Sequence, residues 1–234
     1  MSDVLLSGNI RILAIIPARG GSKRLPGKNT MQLLGKSLVE WSFDESQKSK
    51  YLSMTIISSD DEKVKTICDY RNMPFINRDT SLATDSASSV SVVLSVLDEL
   101  SSSGVNFDYC CLLQPTSPLR RAEHIDEAIT MLKNSNKDSI VSVCRSDPGS
   151  HWFVELKNAG RFSEIVSYGC DQDGRNNEYS LNGAIYVSKI SVLRERESFF
   201  GPNTLAYPML KSDSVDIDTF DDFKHAEDLL SKIC

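Results

Sequence analysis

Four short apolar runs constrain the fold more than any other feature of the chain: IRILAII (10–16), MTIISS (54–59), YCCLLQ (109–114) and SIVSVC (139–144). Runs of this length, bounded by polar residues, read as strands buried on both faces. Helix candidates lie between them, at 37–48, 61–71, 85–103 and 122–134. In the third, Val90, Val93, Leu94, Leu97 and Leu100 recur at helical spacing behind Asp85 as N-cap. In the fourth, Ile125, Ala128, Ile129 and Leu132 share one face. Strand and helix in repetition predict an α/β fold with a mainly parallel sheet and helices on both sides.

The pattern changes after Cys144. HWFVEL (151–156) and RFSEIV (161–166) flank KNAG and predict a hairpin. SYGCDQDGRNNEYSLNG (167–183) has almost no apolar periodicity and reads as a polar loop. AIYVSK (184–189) returns to a strand. TFDDFKHAEDLLSKI (219–233) is a helix capped by Thr219, with Phe223, Ala226, Leu230 and Ile233 turned inward. The expected organisation is a single domain over 1–234, with 146–212 an excursion from the α/β core that contains the inserted hairpin.

The net charge of −6 argues against a nucleic-acid partner, whose binding surface would be basic. No apolar run approaches the roughly 20 residues of a membrane helix. The start, MSDVLLSGNIR, lacks the basic n-region and apolar h-region of a signal peptide. The six cysteines form no C-x-x-C pair, and His124, His151 and His225 lie far apart, which leaves no zinc spacing. Reduced, structural thiols in a cytoplasmic protein are expected, with the histidines as surface or loop residues.

Against this acidic background, IIPARGGSKRLPGKN (15–29) concentrates Arg19, Lys23, Arg24 and Lys28 directly after the first strand. It is not a Walker A motif, because Gly21 and Gly27 are separated by five residues and Lys28 is followed by Asn29. It also lacks the G-x-G-x-x-G dinucleotide pattern and the acid that follows it. Its chemistry is still that of a phosphate loop. Gly20 and Gly21 let the backbone approach an anion, Arg19 offers a bidentate grip, and Lys23 and Lys28 act as point charges. Late in the chain, SVDIDTFDDF (214–223) places Asp216 and Asp218 on one side of an extended segment. Near a phosphate loop, such a pair makes a Mg²⁺ site that substrate phosphates complete. Each motif follows a predicted strand, where ligands bind in open parallel sheets. In LLQPTSPLRR (112–121), Gln114, Thr116 and Ser117 offer neutral hydrogen bonds suited to a polyhydroxyl ligand, and Arg120 adds a possible carboxylate or phosphate contact. In INRDTSLATDSASS (76–89), Arg78 follows a short strand and a Ser/Thr-rich turn enters the third helix. ISSDDEKV (57–64) reads as a strand end with an N-cap.

IIPARGGSKRLPGKN, RDTSLATDSASS, LLQPTSPLR, NGAIYV and SVDIDT stand in the order and at the spacing of the acylneuraminate cytidylyltransferases, and the chain resembles that family from Ile12 to its last helix. The resemblance implies a Rossmann-like nucleotidyltransferase fold, with a small inserted sub-domain used for dimerisation. It implies transfer of CMP from CTP to the anomeric hydroxyl of a nine-carbon keto sugar acid, sialic or sialic-acid-like (legionaminic acid among them), with Mg²⁺ as cofactor. Carried to matching positions, it makes Arg19, Lys28 and Asp218 catalytic. Arg19, Gly20, Lys23, Lys28, Asn29, Arg78 and Ser89 become nucleotide contacts, and Asp216 and Asp218 metal ligands. Gln114, Thr116 and Asn182 become sugar contacts, and Phe199 and Phe200 an aromatic pair that reaches the partner's sugar pocket. A homodimer is implied, with no nucleic-acid or membrane partner.

Two positions depart from the sialate members: Ser180 stands where they carry an arginine, and Trp152 aligns near a lysine. Arg120, Arg121 and Arg175 are the candidate replacements for holding the sugar carboxylate. Two rival readings stay open on the residues alone: a glycosyltransferase using Asp216-Ile217-Asp218 as its metal motif, and a non-catalytic CTP-binding module.

Overall fold

The computed structural model describes residues 10–82, 88–146, 152–157, 163–170 and 179–232. The strands are β1 (Ile12–Pro17), β2 (Gln32–Leu33), β3 (Lys36–Ser37), β4 (Met54–Ser59), β5 (Phe75–Asn77), β6 (Tyr109–Leu112), β7 (Ser139–Arg145), β8 (Trp152–Lys157), β9 (Ser163–Cys170), β10 (Tyr179–Lys189) and β11 (Thr204–Pro208). The helices are α1 (Leu38–Lys48), α2 (Glu62–Arg71), α3 (Ser89–Ser102), α4 (Ala122–Lys133), α5 (Ile190–Arg196) and α6 (Phe220–Leu230). Apart from the small β2–β3 pair, all strands join one sheet in the order β5-β4-β1-β6-β10-β7-β11-β9-β8.

β1 lies between β4 and β6, parallel to both. β4 and β5 are parallel, as are β7 and β11. β10 alone runs antiparallel within this seven-strand core, between β6 and β7. The predicted α/β architecture with a mixed, mainly parallel sheet is therefore present.

Period-2 geometry explains why β1 reads as an unbroken apolar run. Ile12, Ala14 and Ile16 face one layer, against Val39 of α1, Val64 of α2 and Ile125 and Ile129 of α4. Leu13 and Ile15 face the other, against Val93, Val96 and Leu97 of α3. The helix starts follow from capping chemistry. Ser37 and Glu40 form a reciprocal box at α1, Asp61 caps α2, and Thr219 and Asp222 close a box at α6.

Several expectations need correction. The α3 N-cap is Ser88, whose hydroxyl accepts from Ser91 N, so the helix begins later than a cap at Asp85 would allow. Asp85 itself lies outside the described residues. The buried α3 stripe includes Val92 and Val96, which the predicted set omitted. Residues 146–212 are also less of an excursion than expected. β10 and β11 are core strands of the sheet, and only the β8–β9 hairpin is appended at the edge, β9 pairing with β11 and Val154 of β8 with Tyr179 of β10. Part of the supposed polar loop is strand: β9 runs to Cys170 and β10 starts at Tyr179. Polar residues are tolerated there because neighbouring strands satisfy the backbone. His124 is buried, and its Nδ1 accepts from Arg121 N at the head of α4, so it is no surface residue. Ile233, His151 and Arg175 lie outside the described residues.

Among the described residues, no helix is long and apolar enough to cross a membrane. Burial pushes the thiols of Cys68, Cys110 and Cys111 up, Cys111 to about 12, so none of the three is a ready nucleophile at neutral pH.

Ile129 sits on the α4 face against β1 and is fully enclosed. Ile129→Ala is expected to lower the free energy of unfolding by about 2–5 kcal/mol. Urea denaturation checks this, and a loss below about 0.5 kcal/mol would contradict the packing described.

Candidate active site

A cavity of about 320 Å³ opens beyond the carboxyl ends of β1 and β6. Its walls come from four of the segments the sequence marked. Pro17 ends β1 and Arg19 follows it, and Lys28 and Asn29 come from the 3-10 turn that closes the basic loop. Arg78 follows β5, Ser89 and Val92 stand on the first turn of α3, Gln114, Pro115 and Thr116 follow β6, and Asp216 and Asp218 precede α6. This is the crevice where parallel sheets place ligands, because strand ends and helix N-termini converge there.

The basic loop is fastened by its neighbours. Ala18 N donates to Ser58 O at 2.9 Å, and the Ser59 hydroxyl donates to Ala18 O. Gly20 N donates to Asp60 Oδ1 at 3.0 Å, and Asn29 Nδ2 donates to Arg19 O at 3.0 Å. Residues 58–60 thus form a bracket for the loop. The motif had suggested only a strand end and a cap there, so Asp60 was missed. A carboxylate one residue before an N-cap carries no distinct sequence signal.

The late acidic segment is set by one apolar anchor. Ile217 is fully buried among Leu33, Leu38, Leu119 and Phe223, and its amide donates to Thr116 O at 2.8 Å. With the middle residue turned into the core, both flanking carboxylates face the cavity. Lys28 Nζ donates to Asp218 Oδ1 at 2.8 Å and to Ile217 O at 2.9 Å, and Arg24 pairs with Asp218 Oδ2 at 2.9 Å. Burial holds Asp216 above the usual carboxylate range; a hydrogen bond from Thr116 opposes this and the charge of Asp218 adds to it. Two carboxylates on an open wall, one carrying a disfavoured charge, are a donor set for a hard divalent cation. Among the described residues no group of three or more His, Cys, Asp or Glu side chains gathers, so water and ligand oxygens would complete such a shell.

In the same cavity Arg78 is buried and donates from Nη2 to Ser58 O at 2.8 Å, while its Nε has no partner among the described residues. Burial pushes its pKa down, Asp60 opposes this, and the charge of Arg19 adds to it. Arg19, Lys28 and Arg78 bring three cations to a cavity with two carboxylates, a balance that suits a polyanion carrying a metal ion.

Some expected contacts lie elsewhere. Lys23 is exposed and lies off the cavity wall, and the Gly20 amide is taken by Asp60. Asn182 is buried: its Oδ1 accepts from the Ser142 hydroxyl at 2.6 Å, and its Nδ2 donates to Ser214 Oγ at 2.9 Å. It ties β10 to β7 and to the segment leading to Asp216. Phe199 is core, with its ring 5.6 Å from that of Tyr186, and Phe200 packs edge-on to the same tyrosine. Neither lines the cavity. Arg120 is 1% exposed beneath the wall, not in the cavity. Arg121 faces His124 and Asp213.

Gln114 rests against Gly183. That glycine adopts φ +74°, and a Cβ there would come within 2.7 Å of Gln114 Oε1. The positive φ favours glycine, and any Cβ would also push the Gln114 amide aside, which accounts for the glycine of the Asn-Gly pair in β10.

The sequence profile of the family described as Cytidylyltransferase matches residues 13–206. The chain is 35% identical over 232 residues to a CMP-N,N'-diacetyllegionaminic acid synthase of Legionella pneumophila, covering 94% of this chain and 97% of that one. It is 34% identical to an N-acylneuraminate cytidylyltransferase of Streptococcus agalactiae, covering 91% of this chain but only 52% of that longer protein. Among solved structures, a CMP:2-keto-3-deoxy-manno-octonic acid synthetase superposes with a TM-score of 0.76, covering 96% of this chain and 100% of that one at 14% identity, which speaks to the fold alone. With the profile spanning most of the chain and a relative matched end to end, the chain belongs to the cytidylyltransferase family and is a nucleotidyltransferase.

Proposed function

We propose that the chain transfers CMP from CTP to the anomeric hydroxyl of a nine-carbon keto sugar acid and releases pyrophosphate. The observation that carries this is the meeting of Lys28 with Asp218 and the Ile217 carbonyl, which puts the basic loop and the carboxylate pair in one cavity. The sugar class rests on the named relatives, which include a legionaminic acid synthase and an N-acylneuraminate enzyme at nearly equal identity. In the reaction the anomeric oxygen bonds the α-phosphorus, the α–β bridging P–O bond breaks, and pyrophosphate leaves. Such chemistry asks little covalent work of the protein and much positioning and charge neutralisation.

Arg19 and Lys28 would face the triphosphate, with Arg78, Asn29 and Ser89 on the nucleoside side of the same cavity. Asp216 and Asp218 would hold Mg²⁺, which when bound neutralises phosphate charge. Gln114 and Thr116 would read sugar hydroxyls. Ser180 contacts Cys144 and offers no cation for the sugar carboxylate, so the grip on that group differs from that in sialate members. The appended β8–β9 hairpin is the face on which we place a homodimer contact.

Incubation with CTP, Mg²⁺ and a panel of nonulosonates tests the reading. Pyrophosphate is expected with at least one sugar acid and none without sugar; silence across the panel would sink it. Asp218→Asn is expected to abolish metal-dependent turnover while circular dichroism stays native, and normal activity would refute the metal assignment. Arg19→Ala should weaken CTP binding by about 10-fold or more, the scale of one charge-assisted contact; titration calorimetry gives the number, and unchanged affinity would remove Arg19 from the phosphate site.

Asp216 yields a prediction with a defined sign. Its folded pKa lies above the unfolded one, so the ionised form costs stability at neutral pH, and the cost fades as pH falls through the folded value. Asp216→Asn should therefore raise the thermal midpoint at pH 7 yet abolish turnover. The gain should vanish toward the unfolded carboxyl pKa, near 3.8. A lower midpoint at pH 7 would contradict it.

A further inference from the structure

Arg120 is the largest fully enclosed side chain in the protein's described residues. Its Nη1 donates to two carbonyls, Gln114 O and Ala184 O, each at 3.0 Å. Among the described residues, Nε and Nη2 have no hydrogen-bond partner. The nearest acid that acts on it, Glu45, is already spent: its carboxylate pairs with Lys48 at 2.5 Å and accepts from Ala122 N at 2.8 Å. Burial pushes the guanidinium down to about 10, which still leaves it charged at neutral pH.

An enclosed charge without a paired carboxylate is expensive, and apolar replacements of such groups are often neutral for stability or better. Burial of the charge itself therefore gives no reason for an arginine here. Its two bonds do. Gln114 O belongs to the residue whose side chain faces the cavity, and Ala184 directly follows Gly183, on which that side chain rests. The loop after β6 and the β10 backbone are otherwise joined at this point by a long 3.5 Å contact from Ser117 Oγ to Asn182 O.

We infer that Arg120 is a positioning residue that locks the Gln114 backbone to the Gly183–Ala184 backbone and thereby sets the placement of the Gln114 amide on the sugar side of the cavity. The link to the sugar rests on the proposed function; the lock itself does not. Arg120 touches no substrate, and the nucleotide side, built from the basic loop and Arg78, has separate supports in residues 58–60.

Arg120→Met and Arg120→Lys test this. Hydrogen exchange reads the lock without any substrate: in Arg120→Met, amides of 113–119 and 182–185 should exchange at least tenfold faster, with the basic loop unchanged. Unchanged exchange there overturns the inference whatever the enzyme's activity. In turnover with a sugar acid accepted by the wild type, KM for that sugar should rise about tenfold while CTP affinity by calorimetry stays within twofold. Arg120→Lys, which keeps a donor for the two carbonyls, should recover most of the loss. An equal fall in CTP affinity, or an unaltered sugar KM, overturns the positioning role. Should Arg120→Met fail to fold, partial loosening of the same amides and a smaller rise in sugar KM in Arg120→Lys carry the test, and a wild-type profile in that variant overturns it. Absence of turnover in the wild type itself would count against the proposed function and leave the exchange result standing.

Discussion

The ammonium of Lys28 joins the two ends of the candidate site. It spans 190 residues of sequence to reach Asp218, and it also takes the Ile217 carbonyl. The basic loop would otherwise hold several like charges at the end of one strand, and the Asp pair would hold two carboxylates on one wall, each arrangement unfavourable alone. Together they form a mixed-charge cavity whose cations and anions are complementary to a metal-bound triphosphate. The hydrogen bonds from residues 58–60 and the buried Ile217 keep the two halves at this separation.

Much of this was legible in the sequence because it rests on local signals. The unbroken apolar character of Ile12–Ile16 announces a strand covered on both faces, and the period-3.6 stripe of Ile125, Ala128, Ile129 and Leu132 announces a helix on one of them. Asp216-Ile217-Asp218 shows the alternation by which the middle side chain is buried and the outer two face the same way. The cavity lining, from Arg19 to Asp218, follows once each motif is placed after its strand.

What the sequence hid depends on tertiary partners. The family resemblance implies that Asn182 is a sugar contact, yet β7 and the chain before Asp216 capture its amide. Phe199 looks like a projecting aromatic until Tyr186 supplies a ring to pack on. Arg120 reads in the sequence as a carboxylate or phosphate contact, yet the approach of β10 encloses it. AIYVSK announces the second half of β10, while its start at Tyr179 and the strand β11 went unread because the pairing of neighbouring strands, more than local pattern, extends them. Asp85 lost the cap of α3 to Ser88, an equally good capping residue closer to the helix.

The antiparallel course of β10 has a consequence for the order in which the protein is assembled. The block β5-β4-β1-β6 is encoded before residue 113, yet it gains its link to β7 only through a strand that spans 179–189. Until that strand is synthesised, the backbone donors and acceptors along the outer edge of β6 have no partner in the sheet. An open central edge of this kind is where nascent chains pair wrongly with one another. The chain answers with chemistry suited to waiting: β6 is only four residues long, and an aspartate, Asp108, stands immediately before it.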